Sequence, residues 1–297
     1  MRKPGKNISD ISFQDLISYF RNERYKIKKY PKDMISLPEE IFSETEPIFV
    51  FSTGRAGSQL LSRLFDASKL GSVYHEPYPI MDYGSKLAFE LGDNNIQAKK
   101  LAFLNARYDL IKKAFLEDKR YVETNNRVTF FMDALIAIFP KAKFIHLIRH
   151  PGSFVRSGIR RNYYQGHDND DGRISPLPND TIFEEWKQFD RIQKNAWLWT
   201  MTNQKIENLK QGMNSESILT IKAENLFSNP NTYQGICEFI NHSPLDSAKI
   251  EAIIKKPANV QKQNDFPKWM DWSAEDKQTL IKMTPLGEKY KYWKASV

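Results

Sequence analysis

The chain has 297 residues, which is enough for one large domain or two small ones with a sizeable core. Apolar residues make up 40% of it and charged residues 27%, a composition that excludes a disordered chain and is typical of a globular one. Forty-four lysines and arginines against 36 acidic residues give a net charge of +8, which favours anionic partners of several kinds.

The cysteine count and the hydropathy bear on where the protein works. Cys237 is the single cysteine, so neither an intramolecular disulfide nor a cysteine-based zinc cluster can form. No stretch approaches the roughly 18 apolar residues of a membrane span, and residues 1–14 lack the apolar run of a secretory signal. We therefore predict a cytoplasmic protein without a membrane span, and the sequence leaves its oligomeric state open.

The first predicted element is a short amphipathic helix over residues 8–20, followed by a basic run over residues 21–29. Such a run is usually a solvated surface, and the alternative is contact with an acidic substrate or a membrane surface. A regular pattern begins only at residue 47. We therefore predict a basic helical extension over residues 1–46 and a single α/β domain over residues 47–297.

From residue 47 onward, apolar runs alternate with helical stretches. The predicted strands cover residues 48–51, 72–74, 121–122, 144–148 and 218–221, and the clearest helical stretches cover residues 128–139 and 182–209. Strands separated by helices pair in parallel through right-handed crossovers. The sequence thus predicts an α/β, P-loop-like three-layer fold with a central parallel sheet flanked by helices, and a ligand-binding loop over residues 165–180.

A loop of small residues, Ser52-Thr-Gly-Arg-Ala-Gly, joins the first predicted strand to a helix. Gly54 and Gly57 let the backbone approach an anion closely, and the free N–H groups and dipole of the helix attract negative charge. Arg55 adds a full positive charge. A plain turn capped by Ser58 is the alternative. The pattern favours a phosphate site.

Two other functional classes remain open at this point. The loop of a nucleotide-dependent kinase requires Gly-x-x-x-x-Gly-Lys-Ser/Thr, and the lysine is missing here. The predicted strand over residues 144–148 also ends in Arg149 instead of an aspartate for magnesium. A kinase is therefore the second choice. A basic nucleic-acid-binding protein is the third, suggested by the net charge and by 13% aromatic residues.

The second polar constellation follows the predicted strand over residues 144–148. Arg149 stands at its carboxyl end, where α/β sheets bind ligands, and Ser157 can face the same pocket from two turns into the next helix. An arginine fork and a hydroxyl together can enclose one phosphate, although an arginine in an exposed surface turn is the alternative. Two anion sites at one sheet edge predict a ligand with phosphates at both ends.

These motifs resemble those of the sulfotransferases that use 3'-phosphoadenosine 5'-phosphosulfate. Ser52-Thr-Gly-Arg-Ala-Gly-Ser58 is similar to the 5'-phosphosulfate loop of carbohydrate and tyrosine-protein sulfotransferases, and His146-Leu-Ile-Arg-His-Pro151 through Ser157 is similar to the 3'-phosphate motif. Weaker similarity covers Tyr74-His-Glu-Pro77 and Ile221-Lys-Ala-Glu-Asn-Leu226. In all, residues 48–240 resemble the family. Gln59 departs from it, because these loops often carry a second serine or threonine there.

The resemblance implies transfer of a sulfonyl group to an acceptor hydroxyl or amine, with release of adenosine 3',5'-bisphosphate and without a metal. Arg55 is then expected to stabilise the leaving phosphate, and Glu76 to accept the acceptor proton. Glu123 is an alternative base, and His75 a weaker one. The implied donor-binding residues are Arg55, Ala56, Gly57, Ser58, Gln59, Leu60, Arg149 and Ser157.

The motifs do not identify the acceptor. Residues 78–107 and 163–180 are predicted to form its pocket, and several of their side chains fit a polar or anionic acceptor such as a carbohydrate: Tyr78, Tyr83, Arg107, Tyr163, Tyr164 and Arg173. By the same resemblance, residues 261–271 form a late loop that closes over the nucleotide, with Lys262 near the 3'-phosphate. Core packing of its aromatic residues is the alternative. No nucleic-acid partner is predicted.

Overall fold

The computed structural model describes residues 39–256 and 266–293. The helix predicted over residues 8–20, the basic run over residues 21–29 and Lys262 lie outside these ranges. The strands are β1 (Ile48–Phe51), β2 (Ser72–His75), β3 (Tyr121–Thr124), β4 (Lys143–Ile148) and β5 (Ile218–Lys222). The described α-helices are α1 (Glu40–Ser43), α2 (Ser58–Ala67), α3 (Asp82–Glu90), α4 (Ile96–Leu116), α5 (Met132–Ile138), α6 (Pro151–Ile159), α7 (Arg191–Lys210), α8 (Ala223–Ser228), α9 (Pro230–Phe239), α10 (Ser247–Ile254), α11 (Ala274–Met283) and α12 (Leu286–Lys289).

The five strands form one sheet in the order β2-β3-β1-β4-β5, and all neighbours pair in parallel. Ile48 of β1 is in register with Val122 of β3 on one side and with Lys143 of β4 on the other. Because the strands are parallel, their carboxyl ends share one edge of the sheet. The segments that follow β1, β2, β3 and β4 therefore meet there, and the predicted α/β fold is confirmed.

Helices cover both faces of the sheet, so β1 is apolar on both sides. Phe49 and Phe51 pack into the aromatic-rich layer, whereas Ile48 and Val50 pack into the opposite aliphatic layer. Successive side chains of a strand point to opposite faces, which explains this division. A fully buried parallel strand therefore reads as a continuous apolar run, and β1 and β4 were recognisable for that reason.

Both of the long predicted helices begin differently from the prediction. Residues 126–131 form a 3-10 helix before α5, so the stretch predicted over residues 128–139 is divided. The helix predicted from residue 182 begins only at Arg191, because Asp190 caps it. The Asp190 carboxylate accepts from the Gln193 N–H, and the Gln193 side chain accepts from the Asp190 N–H.

The segment before β1 is packed against the domain. Ile41 of α1 is 1% exposed and belongs to the aromatic-rich core, and Glu46 pairs with Arg120 at 2.9 Å. Ile41 and Glu46 lie before the predicted boundary between residues 46 and 47, yet both contact the domain that follows it. The division into an extension and a domain stays a prediction. Among residues 39–256 and 266–293, no helix combines the length and the apolar character that crossing a bilayer requires.

Candidate functional site

A cleft of about 620 Å³ opens at the carboxyl edge of the sheet. Its walls come from the loop between β1 and α2, from the segment after β2, from α6 and from the residues that follow α6. The predicted site residues that line it are Arg55, Gly57, Ser58, Gln59, Leu60, Glu76, Arg149 and Ser157. Ala56 is fully buried and packs its methyl group into the aliphatic layer beneath the loop. The structure therefore brings both predicted motifs to one cavity.

The loop after β1 holds a backbone shape that favours glycine. Gly54 has a φ of +76° and Gly57 a φ of +97°, and Arg55 between them is also left-handed at +54°. A Cβ atom added to Gly57 would lie 2.8 Å from the ring of Phe227. Gly57 occupies the N-cap position of α2, so the alternative in which Ser58 caps this helix is wrong. Glycine offers no side-chain acceptor to the first amides of α2, and an anion bound there would accept hydrogen bonds from them.

The two motifs touch each other directly. Arg55 Nε donates to Ser157 Oγ at 3.3 Å, and Arg149 Nη1 donates to the carbonyl oxygen of Arg55 at 2.7 Å. Burial lowers the pKa of Arg55, and the positive charge of Arg161 lowers it further. Burial also lowers the pKa of Arg149, an effect that Glu224 partly offsets. Arginine nevertheless stays charged in proteins, so these partly buried guanidinium groups form a region that favours an anion.

The turn that carries Arg149 is fixed by residues that the sequence analysis did not single out. Glu224 Oε1 accepts from the N–H of His150 at 2.9 Å, and its Oε2 accepts from the Tyr292 hydroxyl at 3.1 Å. Trp199 Nε1 donates to the Arg149 carbonyl at 2.8 Å. Glu224 lies in the stretch of weaker family similarity, but no local pattern shows that its partner is the β4–α6 turn, since the contact spans 74 residues.

His150 is the N-cap residue of α6 and is uncharged at neutral pH. Its Nδ1 accepts from the Gly152 N–H at 3.1 Å, and its ring stacks on Trp269 with centroids 4.5 Å apart. Burial lowers the pKa of His150 to about 4. The ring therefore acts as a neutral cap for the helix that carries Ser157.

Glu76 lies at the mouth of the cleft and is held by an arginine. Its Oε2 pairs with Arg127 Nη1 at 2.9 Å, while Arg127 also pairs with Asp82 through Nε. Although burial lowers the pKa of Arg127, the two carboxylates raise it above the ordinary value. Glu76 has a φ of +45°, a left-handed conformation that costs about 1 kcal/mol for a residue with a Cβ atom. Arg127 was missed, although its place just after β3 puts it at the same sheet edge.

Glu123, the alternative base, does not reach the cleft. Its carboxylate is fully buried and forms a bidentate contact with Arg107 Nε, at 2.9 and 3.0 Å. The Tyr121 hydroxyl and the Asn125 amide also donate to it, at 2.7 and 2.8 Å. Glu123 is therefore part of a buried ion pair and is wrong as a base that contacts an acceptor. The prediction that Arg107 lines the acceptor pocket is wrong for the same reason.

Only part of the predicted acceptor pocket is found in the cleft. Tyr163 and Arg173 line it, whereas Tyr78 and Tyr83 are 80% and 72% exposed and lie outside the lining. Tyr164 also lies outside it, and its hydroxyl donates to the carbonyl oxygen of residue 174 at 2.7 Å. Arg127, Arg160 and Arg161 also line the cleft and lie outside the ranges predicted for the acceptor, whereas His167 lies within the predicted range 163–180.

The described part of the predicted late loop packs against α6. Arg156 Nε donates to the Phe266 carbonyl at 2.8 Å, and Trp269 covers His150. Trp272 is 5% exposed, and its Nε1 donates to the Pro267 carbonyl at 3.1 Å. Phe266 and Trp269 of the loop pack against the aromatic-rich core, as does Trp272 directly after it, which agrees with the core-packing alternative for these aromatic residues. The proposed contact of Lys262 lies outside the described residues.

Residues 47–246 match the model of a sulfotransferase family. The chain belongs to this sulfotransferase family. Comparison with curated protein sequences gave no match.

Several solved structures are similar to this sulfotransferase. The sulfotransferase domain from the curacin biosynthetic pathway is 17% identical with a TM-score of 0.44, and 85% of this chain and 93% of that chain are covered. The sulfotransferase domain of a Synechococcus olefin synthase is 16% identical with a TM-score of 0.47, and the coverage is 85% and 98%. A sulfotransferase from Mycobacterium avium is 11% identical with a TM-score of 0.46, and the coverage is 95% and 82%.

Proposed function

We propose that this sulfotransferase moves the sulfonyl group of 3'-phosphoadenosine 5'-phosphosulfate to a hydroxyl or amine of a small acceptor, with a carbohydrate as the favoured class. The observation that carries the proposal is the direct contact between the two anion-binding motifs, in which Arg55 reaches Ser157 and Arg149 reaches the Arg55 carbonyl. The single cysteine favours a cytoplasmic enzyme.

The lining of the cleft fits a ligand with several negative charges. Its carboxylates are Glu76 and Asp82, both engaged by Arg127. Cationic side chains outnumber them: Arg55, Arg63, Arg127, Arg149, Arg156, Arg160, Arg161, Arg173 and Lys256. The volume of about 620 Å³ lies within the usual range for small-molecule and cofactor sites. Arg55 and the first amides of α2 would hold the 5'-phosphosulfate, and Arg149 and Ser157 the 3'-phosphate.

The donor supplies a sulfonyl group that is activated by its bond to phosphate. In the transfer, the acceptor oxygen or nitrogen forms a bond to sulfur, the bond from sulfur to the 5'-phosphate oxygen breaks, and the acceptor proton passes to a base. Glu76 would accept that proton, and its position in the lining of the same cleft as Arg55 supports this role. Arg55 and the amides of Gly57, Ser58 and Gln59 would donate to the oxygen on which negative charge develops.

Arg127 gives Glu76 a fixed position. The 2.9 Å ion pair orients the carboxylate, and Asp82 keeps Arg127 in place from the other side. A base held in one rotamer loses less entropy when the acceptor arrives, which is how orientation lowers a barrier. Arg127 acts through Glu76 in this scheme and is a positioning residue.

The direct test is transfer of sulfur-35 from labelled donor to a panel of acceptors that contains saccharides, phenols, amines and tyrosine peptides. Labelled product in at least one class, with adenosine 3',5'-bisphosphate released in equal amount, is the expected result. Arg149→Ala should reduce transfer at low donor concentration, whereas Lys249→Ala, which removes an exposed charge, should not. The proposed function is wrong if no acceptor is labelled and adenosine 3',5'-bisphosphate does not bind.

A further inference from the structure

The segment that follows α6 lines the same cleft as Glu76. This segment, residues 160–173, contributes several side chains to the lining that the proposed donor contacts do not use, and three of them are Arg161, Tyr163 and Arg173. Asn169 of the same segment contacts Asp82, which shares Arg127 with Glu76, so the segment lies beside the proposed base. The chemistry of Arg161, Tyr163 and Arg173 therefore bears on what an acceptor carries next to the hydroxyl that reacts.

The segment is held in shape by its own hydrogen bonds. The Asp170 carboxylate accepts from the N–H groups of Tyr164, Gly166 and His167 at 3.0 to 3.1 Å. Asn169 Nδ2 donates to Asp82 Oδ2 at 2.9 Å and ties the segment to the start of α3. A wall of this kind is formed before the ligand arrives, so binding to it requires little ordering.

Arg173 presents its guanidinium in a fixed plane. The group lies 3.5 Å from the centroid of the Tyr163 ring, and its Nε donates to Asp170 Oδ1 at 3.0 Å. Stacking on an aromatic face and pairing through Nε both orient the planar fork of an arginine. This arrangement is typical of arginines that bind planar or tetrahedral anions.

Arg161 carries a buried donor without a partner. Its Nε has no hydrogen-bond partner among residues 39–256 and 266–293. A buried N–H that lacks an acceptor is costly, and an anion in the cleft can supply one. Burial lowers the pKa of Arg55 and of His167, and the positive charge of Arg161 lowers both further. Arg161 is therefore close to the phosphate loop and to the segment after α6.

The carboxylates near these arginines offset the charge of Arg173 but not that of Arg161. Glu76 and Asp82 are both paired with Arg127, and Asp170 pairs with Arg173 alone. Arg161 therefore leaves an excess of positive charge beside the transfer site. We propose, on the basis of the proposed function, that the acceptor is an acidic saccharide whose carboxylate, sulfate or phosphate binds to Arg161 and Arg173 while a hydroxyl of the same molecule meets Glu76.

Binding of matched glycosides tests this proposal without requiring turnover. The probes are p-nitrophenyl glucoside, the corresponding glucuronide, and the 6-sulfate and 6-phosphate of the glucoside, titrated in the presence of adenosine 3',5'-bisphosphate. We expect at least one acidic glycoside to bind about tenfold more tightly than the neutral one, the gain typical of a charge-assisted hydrogen bond. The comparison of the three acidic probes identifies which anion is preferred.

The variants Arg161→Gln and Arg173→Gln should each reduce that preference by about tenfold. Lys113→Gln removes an exposed lysine on α4 and serves as the matched control. Its preference for the acidic over the neutral glycoside should equal that of the parent. Binding of adenosine 3',5'-bisphosphate reports whether each variant has folded.

Two outcomes overturn the acidic-acceptor proposal: equal affinity of the parent for neutral and acidic glycosides, or an unchanged preference in both arginine variants. Transfer of sulfur-35 to a neutral acceptor would then still support the proposed function. Loss of all transfer and of bisphosphate binding would instead refute the proposed function itself, so the two failures are distinguishable.

Discussion

Replacement of Glu76 by glutamine should strongly slow sulfonyl transfer and leave the nucleotide site intact. Glutamine preserves the shape of the side chain but cannot take a proton from the acceptor. General bases contribute roughly 10² to 10⁴ in rate, so we expect kcat to fall by at least about 100-fold. The Kd for adenosine 3',5'-bisphosphate should stay within about threefold of the parent value.

The structure also limits the effect of this substitution on stability. The Glu76 side chain is 38% exposed, so its pair with Arg127 contributes at most about 1 kcal/mol. Arg127 keeps Asp82 as a partner and is not left as an isolated charge. For a domain of this size, 1 kcal/mol corresponds to a Tm shift of about 2 to 4 °C. A large loss of activity with a small Tm shift therefore separates chemistry from unfolding.

The assay is initial-rate sulfur-35 transfer at saturating donor, together with thermal unfolding and nucleotide titration. Glu44→Gln is the matched control, because Glu44 forms an exposed pair with Lys141 away from the cleft. Asp82→Asn removes the other partner of Arg127 and should reduce kcat less than Glu76→Gln does. A kcat of Glu76→Gln within a few-fold of the parent would exclude Glu76 as the base.

Substitutions at three further residues test the surroundings of the site. Glu123→Gln leaves the buried charge of Arg107 without its ion-pair partner and should lower the free energy of unfolding by about 3 to 5 kcal/mol in urea titrations, while the folded fraction still binds nucleotide. Glu224→Ala should weaken bisphosphate binding about tenfold through the turn that carries Arg149, and Glu224→Gln should retain part of the affinity; equal Kd values for all three proteins would contradict this. The His150 ring stays neutral down to about pH 4 in the folded protein, whereas in the unfolded chain it gains a proton near pH 6.5. Stability should therefore fall between pH 6.5 and 4 by up to about 1.4 kcal/mol per unit, and His150→Asn, which can still cap α6, should reduce that slope.

The strands could be predicted because each is an apolar run between turn residues. β1 and β4 are buried on both faces, so their side chains are apolar without alternation apart from Lys143 and His146 of β4. The start of α7 could not be predicted from apolar spacing, since residues 182–188 have the same helical spacing as the helix itself. Only the capping contacts of Asp190 show that the helix begins at Arg191. The 3-10 helix before α5 was missed for a similar reason.

The two anion-binding motifs could be predicted because each is local. Glycines, an arginine and a strand end occur within a few residues of each other, and the parallel sheet places both motifs at one edge. Glu76 and Glu123 illustrate the limit of this reasoning, because both are carboxylates at the end of a strand. Glu123 is in register with Phe49, so its side chain points to the same face of the sheet, the face of the aromatic-rich layer. Arg107 of α4 contacts it there.

The sequence alone could not predict that Arg127, Arg161, Tyr163 and Arg173 line the same cleft. Arg127 meets Glu76 and Asp82 across 51 and 45 residues, a relation that the fold creates and the sequence does not display. Tyr163 and Arg173 were recognised by residue type, but Arg161 becomes noteworthy only through its buried Nε. Residue type indicates what a side chain can bind, whereas its partners decide whether it is available.

The central claim is that Arg149 and Ser157 recognise a 3'-phosphate at the cleft that Arg55 shares. Titration calorimetry with adenosine 3',5'-bisphosphate and with adenosine 5'-monophosphate tests it most directly, since the ligands differ in that group alone. The parent should bind the bisphosphate at least about tenfold more tightly, and Arg149→Ala should bind the two ligands with similar affinity. A parent protein that does not discriminate between them, or an Arg149→Ala variant that keeps the full preference, would contradict the account.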